Sequence, residues 1–505
     1  MKISRRAFIK TSSAVAVASA FSRVAQANAS ITPDDYKALV VVFLNGGNDA
    51  FNTVLPAPGT AEWKAYRKVR GTVALGRKEI FNSQCKGIYP SSSGSVLSLD
   101  DLYLNKHLVA LKPYFKKGDA SIILNSGPLI QPTDRNNYDY VAKPKQLHSH
   151  NSQRKYWYHG MDVVNKNGWI GRILDNFDLE GSSARALSPS FGIPSINALR
   201  GDRYNPIAYK ASTKSSEVGV KQNQLEGYKG ADRLKESYEE HLNKRKRHYS
   251  NLYSRTVSES MRDSEFNNAR LKELTGDYSD PDDLEYDDSD MIANFESVIA
   301  LMKANRENAK GDLGYERQVF FINMGGFDTH GNMKERHPEL LTTLAEGLDY
   351  FLKKLEDENL MKNVVTTTMS DFGRRLSPND NGTDHGWGGH QLVFTHRDNF
   401  MYPNTAVGVW PEVGKKGRNV TDTQRVIPTV CSDQVNATVS RWLGCNEEQL
   451  NTVFPELKNF DDVMIEGSEF TFDELVVPRP EVAYTDDGGE TMTEPHPLYW
   501  DFLKS

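Results

Sequence analysis

Short apolar runs, each followed by glycines or polar residues, dominate the pattern of this chain. They cover residues 38–44, 121–124, 319–323, 364–369 and 391–395. Uninterrupted apolar runs of this length are typical of strands that are buried on both faces of a parallel sheet. Helical spacing appears between them, as in residues 340–360, where Leu341, Leu344, Leu348 and Phe351 share one face. Strands that alternate with helices predict an α/β fold with a mainly parallel sheet flanked by helices.

Two regions depart from this pattern. Residues 211–312 carry helical apolar stripes, a basic run at 244–247 and many acids, and we interpret them as a charged helical insertion. The second of these stripes consists of Ile292, Phe295, Ile299 and Met302. Residues 465–505 are acidic and punctuated by proline, which indicates a surface tail. The α/β domain is therefore expected in two parts, 28–210 and 313–464.

The N-terminus has the features of a twin-arginine export signal over residues 1–27. Arg5 and Arg6 precede a weakly apolar stretch at 14–21, and cleavage is expected after Ala27, with Ala29 as the alternative. The apolar stretch is too short to span a bilayer of about 30 Å, so a permanent membrane anchor is the less favoured interpretation. We expect a periplasmic or secreted protein that the twin-arginine translocation machinery exports.

Charge and cysteine content narrow the possibilities further. The net charge is -6 although the leader contributes basic residues and no acid, so the remaining chain is acidic and broad nucleic-acid binding is not expected. Cys85, Cys431 and Cys445 are expected to be free thiols. A helix over 432–444 would hold the last two about 20 Å apart, too far for a disulfide.

Ligands of open α/β sheets bind beyond the carboxyl ends of the strands, so the residues after each run are candidates for chemistry. The segment NGGND (45–49) follows the first run, and its Asp49 could bind a cation or cap the next helix. The segment HSHNSQ (148–153) could supply a metal ligand, a nucleophile, a polar clamp or a helix cap.

The two later segments follow the runs at 319–323 and 364–369. GGFDTH (325–330) places Asp328 and His330 two residues apart, so their side chains can point the same way and bind one ion. Zinc and manganese are the natural candidates for this mixed oxygen and nitrogen donor set. SDFGRR (370–375) supplies Asp371 and two arginines, of which Arg374 or Arg375 could hold an anionic ester or pair with an acid. TDHGWGGH (383–390) adds His385 and His390 in a glycine-rich loop. Together the segments predict a composite metal site.

Nine segments of the chain together resemble the exported bacterial family called domain of unknown function 1501. They are the twin-arginine leader, VVVFLNGGNDAFNTVLP (40–56), QLHSHNSQRKYW (146–157), GWIGRILD (168–175), GGFDTHGN (325–332), SDFGRR, GTDHGWGGH (382–390) and RWLG with VFPELKNF (441–444 and 453–460). That family is similar to the alkaline phosphatase and sulfatase superfamily, which implies an alkaline-phosphatase-like sheet with a dinuclear metal site.

The resemblance also implies roles for individual residues. Asp49, Asp328, His330, Asp371 and His385 would match the metal ligands of the superfamily. Phe372 stands where the superfamily has a histidine after Asp371, so His150 or His390 would substitute, or only one of two ions would bind. The superfamily nucleophile lies at a helix N-terminus, and here Ser149 is the best match, with Ser126 next.

These observations lead to one function and one alternative. The chain is expected to hydrolyse phosphate or sulfate esters, of small molecules or glycans, with one or two divalent ions and with Ser149 and Arg374 as catalytic residues. The alternative is an exported binding or assembly protein that keeps the fold without turnover, which Phe372 favours.

Overall fold

The computed structural model describes residues 36–89, 98–162, 164–179, 186–187, 189–191, 197–202, 207–209, 290–308, 315–400, 402–414, 416–460, 484–485 and 491–492. The predicted export signal, the basic run at 244–247 and most of the predicted tail after 465 lie outside the described residues. Within the described part, no helix is both long enough and apolar enough to cross a bilayer.

Seventeen strands are present in the described residues. They are β1 (Lys37–Leu44), β2 (Val54–Leu55), β3 (Ile80–Tyr89), β4 (Ser98–Asn105), β5 (Ala120–Gly127), β6 (Ala186–Leu187), β7 (Pro189–Phe191), β8 (Ile207–Tyr209), β9 (Arg317–Met324), β10 (Val364–Ser370), β11 (Arg374–Pro378), β12 (Thr383–His385), β13 (Gly389–Phe394), β14 (Thr405–Val409), β15 (Val430–Cys431), β16 (Tyr484–Thr485) and β17 (Thr491–Met492). All five apolar runs form strands.

The α-helices of the described residues alternate with these strands. They are α1 (Ala61–Arg70), α2 (Lys112–Lys117), α3 (His150–His159), α4 (Trp169–Leu179), α5 (Asp290–Asn308), α6 (Met333–Asp357), α7 (Ser432–Leu443) and α8 (Glu447–Val453). Short 3-10 helices lie at Ala50–Asn52, Gly71–Val73, Arg77–Glu79, Lys106–Leu111, Asn197–Leu199, Arg397–Asn399 and Leu457–Phe460. The helix predicted over 340–360 is the larger part of α6.

Thirteen of the described strands form one sheet, with the order β2-β4-β3-β14-β5-β13-β10-β1-β9-β7-β8, while β15 pairs with β5 and β6 with β9. The central strand β1 is parallel to both β10 and β9. By contrast, β13 is antiparallel to β10 and β5. The chain returns from β10 through the β11–β12 hairpin without a crossover helix, which corrects the expectation that the run at 391–395 joins a parallel array.

Both faces of the sheet are covered, as the alternation of side chains along β1 shows. Val40 and Val42 belong to a core built with α5 and α6, whereas Leu39 and Val41 belong to a core built with α3, α4 and α7. Burial on both faces is the reason that the strand reads as an unbroken apolar run. The predicted α/β class, a sheet flanked by helices, is confirmed.

Helix α5 lies within the segment expected to be an insertion, and it packs into the core. Phe295 stacks on Phe351 of α6, with ring centroids 4.6 Å apart. Met302 is fully buried. The end of the segment 211–312 is therefore part of the layer that covers the sheet, while the domain boundaries themselves stay predictions.

The three cysteines are buried thiols that form no disulfide. Cys431 precedes α7 and Cys445 follows it, as the helical spacing predicts. Cys85 lies in the core on the other face of the sheet.

Candidate metal centre

Three neighbouring parallel strands end at the same edge of the sheet and deliver the candidate site. Asn45 and Gly46 follow β1, Asp328 and His330 follow β9, and Asp371 follows β10. Strand β12 and the N-terminus of α3 bring in His385 and His150 from elsewhere in the chain.

A glycine allows the loops after β1 and β9 to meet. Gly46 has a φ of 120°, and a Cβ there would lie 2.3 Å from the backbone nitrogen of Asp328. The N–H of Phe327 donates to the carbonyl of Asn45 over 3.2 Å. Only glycine combines this φ with so close an approach, which explains the Gly46 of the NGGND segment.

The side chains of His150, Asp328 and His385 converge, and each offers a ligand atom within 4.8 Å of the others. His150 Nε2 lies 3.4 Å from Asp328 Oδ2, and His385 Nε2 lies 3.3 Å from Asp328 Oδ1. His330 adds a fourth donor, because its Nε2 lies 3.1 Å from Asp328 Oδ1 and 2.8 Å from His385 Nε2.

The Nδ1 atoms of His150 and His385, whose rings we call the inner imidazoles, each contact an oxygen atom. His150 Nδ1 lies 2.5 Å from Asp371 Oδ2, and His385 Nδ1 lies 2.8 Å from the carbonyl of His148. His150 Nε2 is buried without a hydrogen-bond partner among the described residues. Metal-binding histidines typically donate one ring N–H to a carboxylate or carbonyl, which turns the lone pair of the other nitrogen to the ion.

The spacing of His150, Asp328 and His385 fits a single ion. Tetrahedral zinc with bonds of about 2.0–2.1 Å to nitrogen would hold its ligand atoms about 3.3 Å apart. His150 Nε2 lies 3.4 Å from Asp328 Oδ2 and His385 Nε2 lies 3.3 Å from Asp328 Oδ1, which matches that spacing, whereas His330 Nε2 is closer to His385 Nε2, at 2.8 Å. Two or three imidazoles with one carboxylate form a donor set that suits zinc better than calcium or magnesium.

The electrostatics keep Asp328 and His385 in the forms that bind a cation. Burial would raise the pKa of Asp328, but the hydrogen bond and charge of Arg374 outweigh it and lower the pKa. Burial lowers the pKa of His385. It also lowers the pKa of His148 to about 4. At neutral pH the carboxylate is therefore ionised and these imidazoles are neutral.

Three residues expected at the cation lie apart from it or are engaged elsewhere. Asp49 is fully buried and pairs with Arg70, with 2.5 Å between Oδ2 and Nη2. His390 Nδ1 accepts the N–H of Asn125, its ring stacks on Trp410, and burial lowers its pKa to about 3. Asp371 is fully buried, and its carboxylate contacts the Nδ1 side of the His150 ring. The expectation that all the motif carboxylates meet around one cation is corrected in these respects.

Arg374 is also placed differently from the expectation that it orients a substrate. Its side chain is fully buried, and its Nη1 donates to Asp328 Oδ1 over 2.7 Å and to the carbonyl of Gly46 over 3.2 Å. Nε donates to Thr383 Oγ1 and Nη2 to the carbonyl of Thr383. Four of the five N–H groups of the guanidinium therefore hold Gly46, Asp328 and β12 in place.

The two candidate nucleophiles have different settings. Ser149 is the N-cap residue of α3, next to His150, is half-buried, and its side chain makes no capping hydrogen bond. His148 before it has a φ of 72°, a conformation that histidine rarely adopts. Ser126 lies within β5, paired with Gly389, and not at a helix N-terminus. Only Ser149 has the helix N-terminal position expected of the nucleophile.

Phe372 fills one side of the centre. Its ring centroid lies 4.8 Å from that of His150 and 4.7 Å from that of His385. It also lies so close to Gly47 that a Cβ there would be 2.3 Å from Cε2 of Phe372. This apolar ring takes the space next to the two imidazoles.

Two arginines near the centre were missed in the sequence. Arg154 lies one turn after His150 on α3, with its Nε 3.3 Å from the carbonyl of His150 and 3.9 Å from Asp371 Oδ1. Arg425 donates from Nε to the carbonyl of His385 over 2.9 Å. The spacing of Arg154 from His150 on one helical face was the available signal, whereas Arg425 is far from every motif.

The chain belongs to the family described as "Protein of unknown function (DUF1501)", whose profile matches residues 137–395. The family membership that the motifs indicated is thereby confirmed. The matched region contains His150, Asp328, Asp371 and His385. No curated protein sequence matches the chain.

Several solved structures have a distant likeness to this one. The lipoteichoic acid synthase LtaP from Listeria monocytogenes is 8% identical, with 85% of this chain and 78% of that chain covered and a TM-score of 0.33. Ps i-CgsB in complex with k-i-k-neocarrahexaose is 10% identical, with 84% and 76% covered and a TM-score of 0.32. The C-terminal periplasmic domain of EcEptC from Escherichia coli is 8% identical, with 85% and 90% covered and a TM-score of 0.31. Likeness at these scores carries no inference about activity, and the alkaline-phosphatase-like character of the sheet stays a prediction.

Proposed function

We propose that the chain is an exported hydrolase of phosphate or sulfate esters that works with one divalent ion held by His150, Asp328 and His385. Zinc is the first choice of ion and manganese the second. The proposal depends on one observation. The Nδ1 atom of His150 contacts the carboxylate of Asp371, and the Nδ1 atom of His385 contacts the carbonyl of His148. This arrangement leaves both Nε2 atoms for a cation beside one carboxylate.

The bound ion would lower the pKa of an attacking hydroxyl or water and stabilise the negative charge that develops on the ester. Ser149 is the candidate to attack, because it caps α3 beside His150 and its hydroxyl is not used as a helix cap. Its oxygen would bond to phosphorus or sulfur as the bond to the leaving alcohol breaks. The hydroxyl proton passes through solvent to that alcohol, and water then releases the inorganic anion from Ser149.

Arg154 takes the role that the sequence suggested for Arg374. Among the described residues, its guanidinium lies 3.3 Å from the carbonyl of His150, 3.3 Å from Asn151 Oδ1 and 3.9 Å from Asp371 Oδ1. It has a side chain that is 29% exposed, whereas that of Arg374 is fully buried. A partly exposed guanidinium one helical turn from a metal ligand is placed to bind the anionic oxygens of an ester.

A second function is favoured by Phe372. Its ring occupies space beside both inner imidazoles, and an apolar wall there would suit a protein that binds a metal without turning over an ester. This candidate shares the metal site with the first and differs only in catalysis.

The test combines metal analysis of the exported full chain with assays on 4-nitrophenyl phosphate and 4-nitrophenyl sulfate. We expect about one equivalent of metal and turnover of at least one ester. His150→Ala should lose both, Ser149→Ala should keep the metal and lose turnover, and the control His396→Ala, at the opposite end of the sheet, should keep both. Metal without any turnover would support the binding protein, and a chain that takes up no metal would refute both.

A further inference from the structure

A pair of arginines lies beside the metal centre, outside the residues that hold the ion. Arg375 belongs to β11, and the N–H of Leu376 donates to the carbonyl of Gln424 over 2.9 Å. That backbone hydrogen bond fastens the loop at 420–426 to β11 and brings Arg425 next to Arg375. The loop is closed on itself by a bridge between Val420 and Val426.

Arg425 is fixed by neutral acceptors. Its Nε donates to the carbonyl of His385 over 2.9 Å, and its Nη1 donates to Thr423 Oγ1 over 2.6 Å. Among the described residues, its guanidinium has no carboxylate within ion-pair distance and its Nη2 has no partner. The carbonyl that accepts from Arg425 Nε belongs to His385, a candidate metal ligand. The positive charge of Arg425 therefore lies beside the metal centre.

Arg375 has unused donors as well. Its Nη1 pairs with Asp384 Oδ2 at 3.0 Å, and its Nε is buried without a hydrogen-bond partner in the part of the chain that the structure describes. Asp384 is itself held by Asn379, which donates to Oδ1 over 3.0 Å. One carboxylate therefore faces two guanidinium groups that retain free N–H groups.

The two guanidinium groups are close enough to repel each other. Burial lowers the pKa of Arg425, the positive charge of Arg375 lowers it further, and the carboxylate of Asp384 opposes both effects. Two guanidinium groups and one carboxylate leave an excess positive charge at this place, in a chain whose net charge is -6. An anion bound between them would relieve the repulsion and use the free donors.

We propose that Arg375 and Arg425 bind a second anionic group of the substrate while its first anionic ester lies at the metal centre. The substrate is then a molecule that carries at least two phosphate or sulfate groups. This inference rests on the proposed function for the first group, but the arginine subsite can be tested by binding alone.

The binding test uses the metal-loaded full chain with Ser149→Ala, which prevents turnover. Calorimetric titration compares fructose 6-phosphate with fructose 1,6-bisphosphate, and a parallel series compares glucose monosulfate with glucose disulfate. We expect the ligand with two anionic groups, in at least one series, to bind about tenfold more tightly than the ligand with one. An equal affinity within both series would overturn the inference.

Substitutions then show which residues cause the tighter binding of the ligand with two anionic groups. Arg375→Gln and Arg425→Gln should each reduce this tenfold difference to about threefold or less, with unchanged metal content and an unchanged affinity for the ligand with one anionic group. Arg425→Lys should keep part of the advantage because it keeps the charge. Arg397→Gln removes the same charge at the opposite end of the sheet, where the side chain is 64% exposed, and should change nothing.

The outcomes separate this inference from the proposed function. If Arg425→Gln loses metal because His385 shifts, Arg375→Gln decides the result, since Arg375 contacts neither imidazole. An advantage that survives Arg375→Gln would overturn the inference even if esters are hydrolysed. An advantage that disappears in Arg375→Gln would support the subsite even if no ester is turned over.

Discussion

Replacing Asp49 by asparagine separates two roles that its position after β1 allows. The sequence suggested a metal ligand, whereas the structure pairs this carboxylate with Arg70 inside the protein. Asparagine keeps the size of the side chain and can still accept the N–H of Asn52, which now donates to Oδ1 over 3.2 Å. The substitution therefore removes the negative charge and little else.

The size of the effect follows from burial. Both side chains have 0% exposure, so no solvent can replace the lost partner of Arg70. Among the described residues, the guanidinium of Arg70 keeps its contacts to the carbonyls of Arg375 and Leu376 and no others. Breaking a buried pair by removing one partner costs about 3–5 kcal/mol, because the other charge stays buried and uncompensated. We expect a fall of that size in the free energy of unfolding.

Urea unfolding followed by tryptophan fluorescence measures the fall, and metal analysis of the native protein accompanies it. The double variant Asp49→Asn with Arg70→Met removes both charges and should recover at least half of the loss. Asp398→Asn breaks an exposed pair with Lys362 and should leave the free energy of unfolding close to its wild-type value. Loss of metal from Asp49→Asn with unchanged stability would refute this reasoning and restore Asp49 as a ligand.

Three further predictions concern single residues. Asp371→Asn should weaken metal binding about 10- to 100-fold in competition with a chelator, because the amide fixes the His150 ring less firmly; an unchanged affinity would contradict the role given to Asp371. Burial raises the pKa of Asp433 to about 7, so the folded state holds an extra proton between about pH 4 and 7 and loses stability as the pH rises through that range, by up to about 4 kcal/mol. Asp433→Asn should abolish this decline in urea titrations at several pH values, and a decline of the same size in the variant would assign it to another group. Gly46→Ala should destabilise the loop beside Asp328 by about 1–3 kcal/mol or more and reduce metal content, and wild-type values for both would exclude the close approach described here.

The strands could be predicted from the sequence because a strand that is buried on both faces of a sheet is an uninterrupted run of apolar residues. The run at 38–44 is apolar throughout, and β1 is buried from Ala38 to Leu44. The direction of β13 could not be predicted in this way, since parallel and antiparallel strands buried on both faces look alike in sequence. It depends on the β11–β12 hairpin, whose short polar strands carry little periodic signal.

The site was predictable where its residues are neighbours in the chain. Asp328 and His330 are two residues apart, and the structure brings them within 3.1 Å of each other. Partners distant in sequence could not be assigned from the chain. Asp371 holds His150, which lies 221 positions away, and a strand-end aspartate looks the same whether it binds an ion directly or orients a ligand. The sequence likewise gives no sign that Arg374 is buried.

The buried thiols make the opening of each face of the sheet separately measurable. Cys85 reports on the core beside α5 and α6, while Cys431 and Cys445 report on the core beside α3, α4 and α7. Burial raises the pKa of Cys85 to about 12 and that of Cys431 as well. Thiolates are the reactive form, so an alkylating reagent will modify these side chains only in molecules whose core has opened. Mass spectrometry of alkylated peptides during unfolding would then report which layer of helices leaves the sheet first.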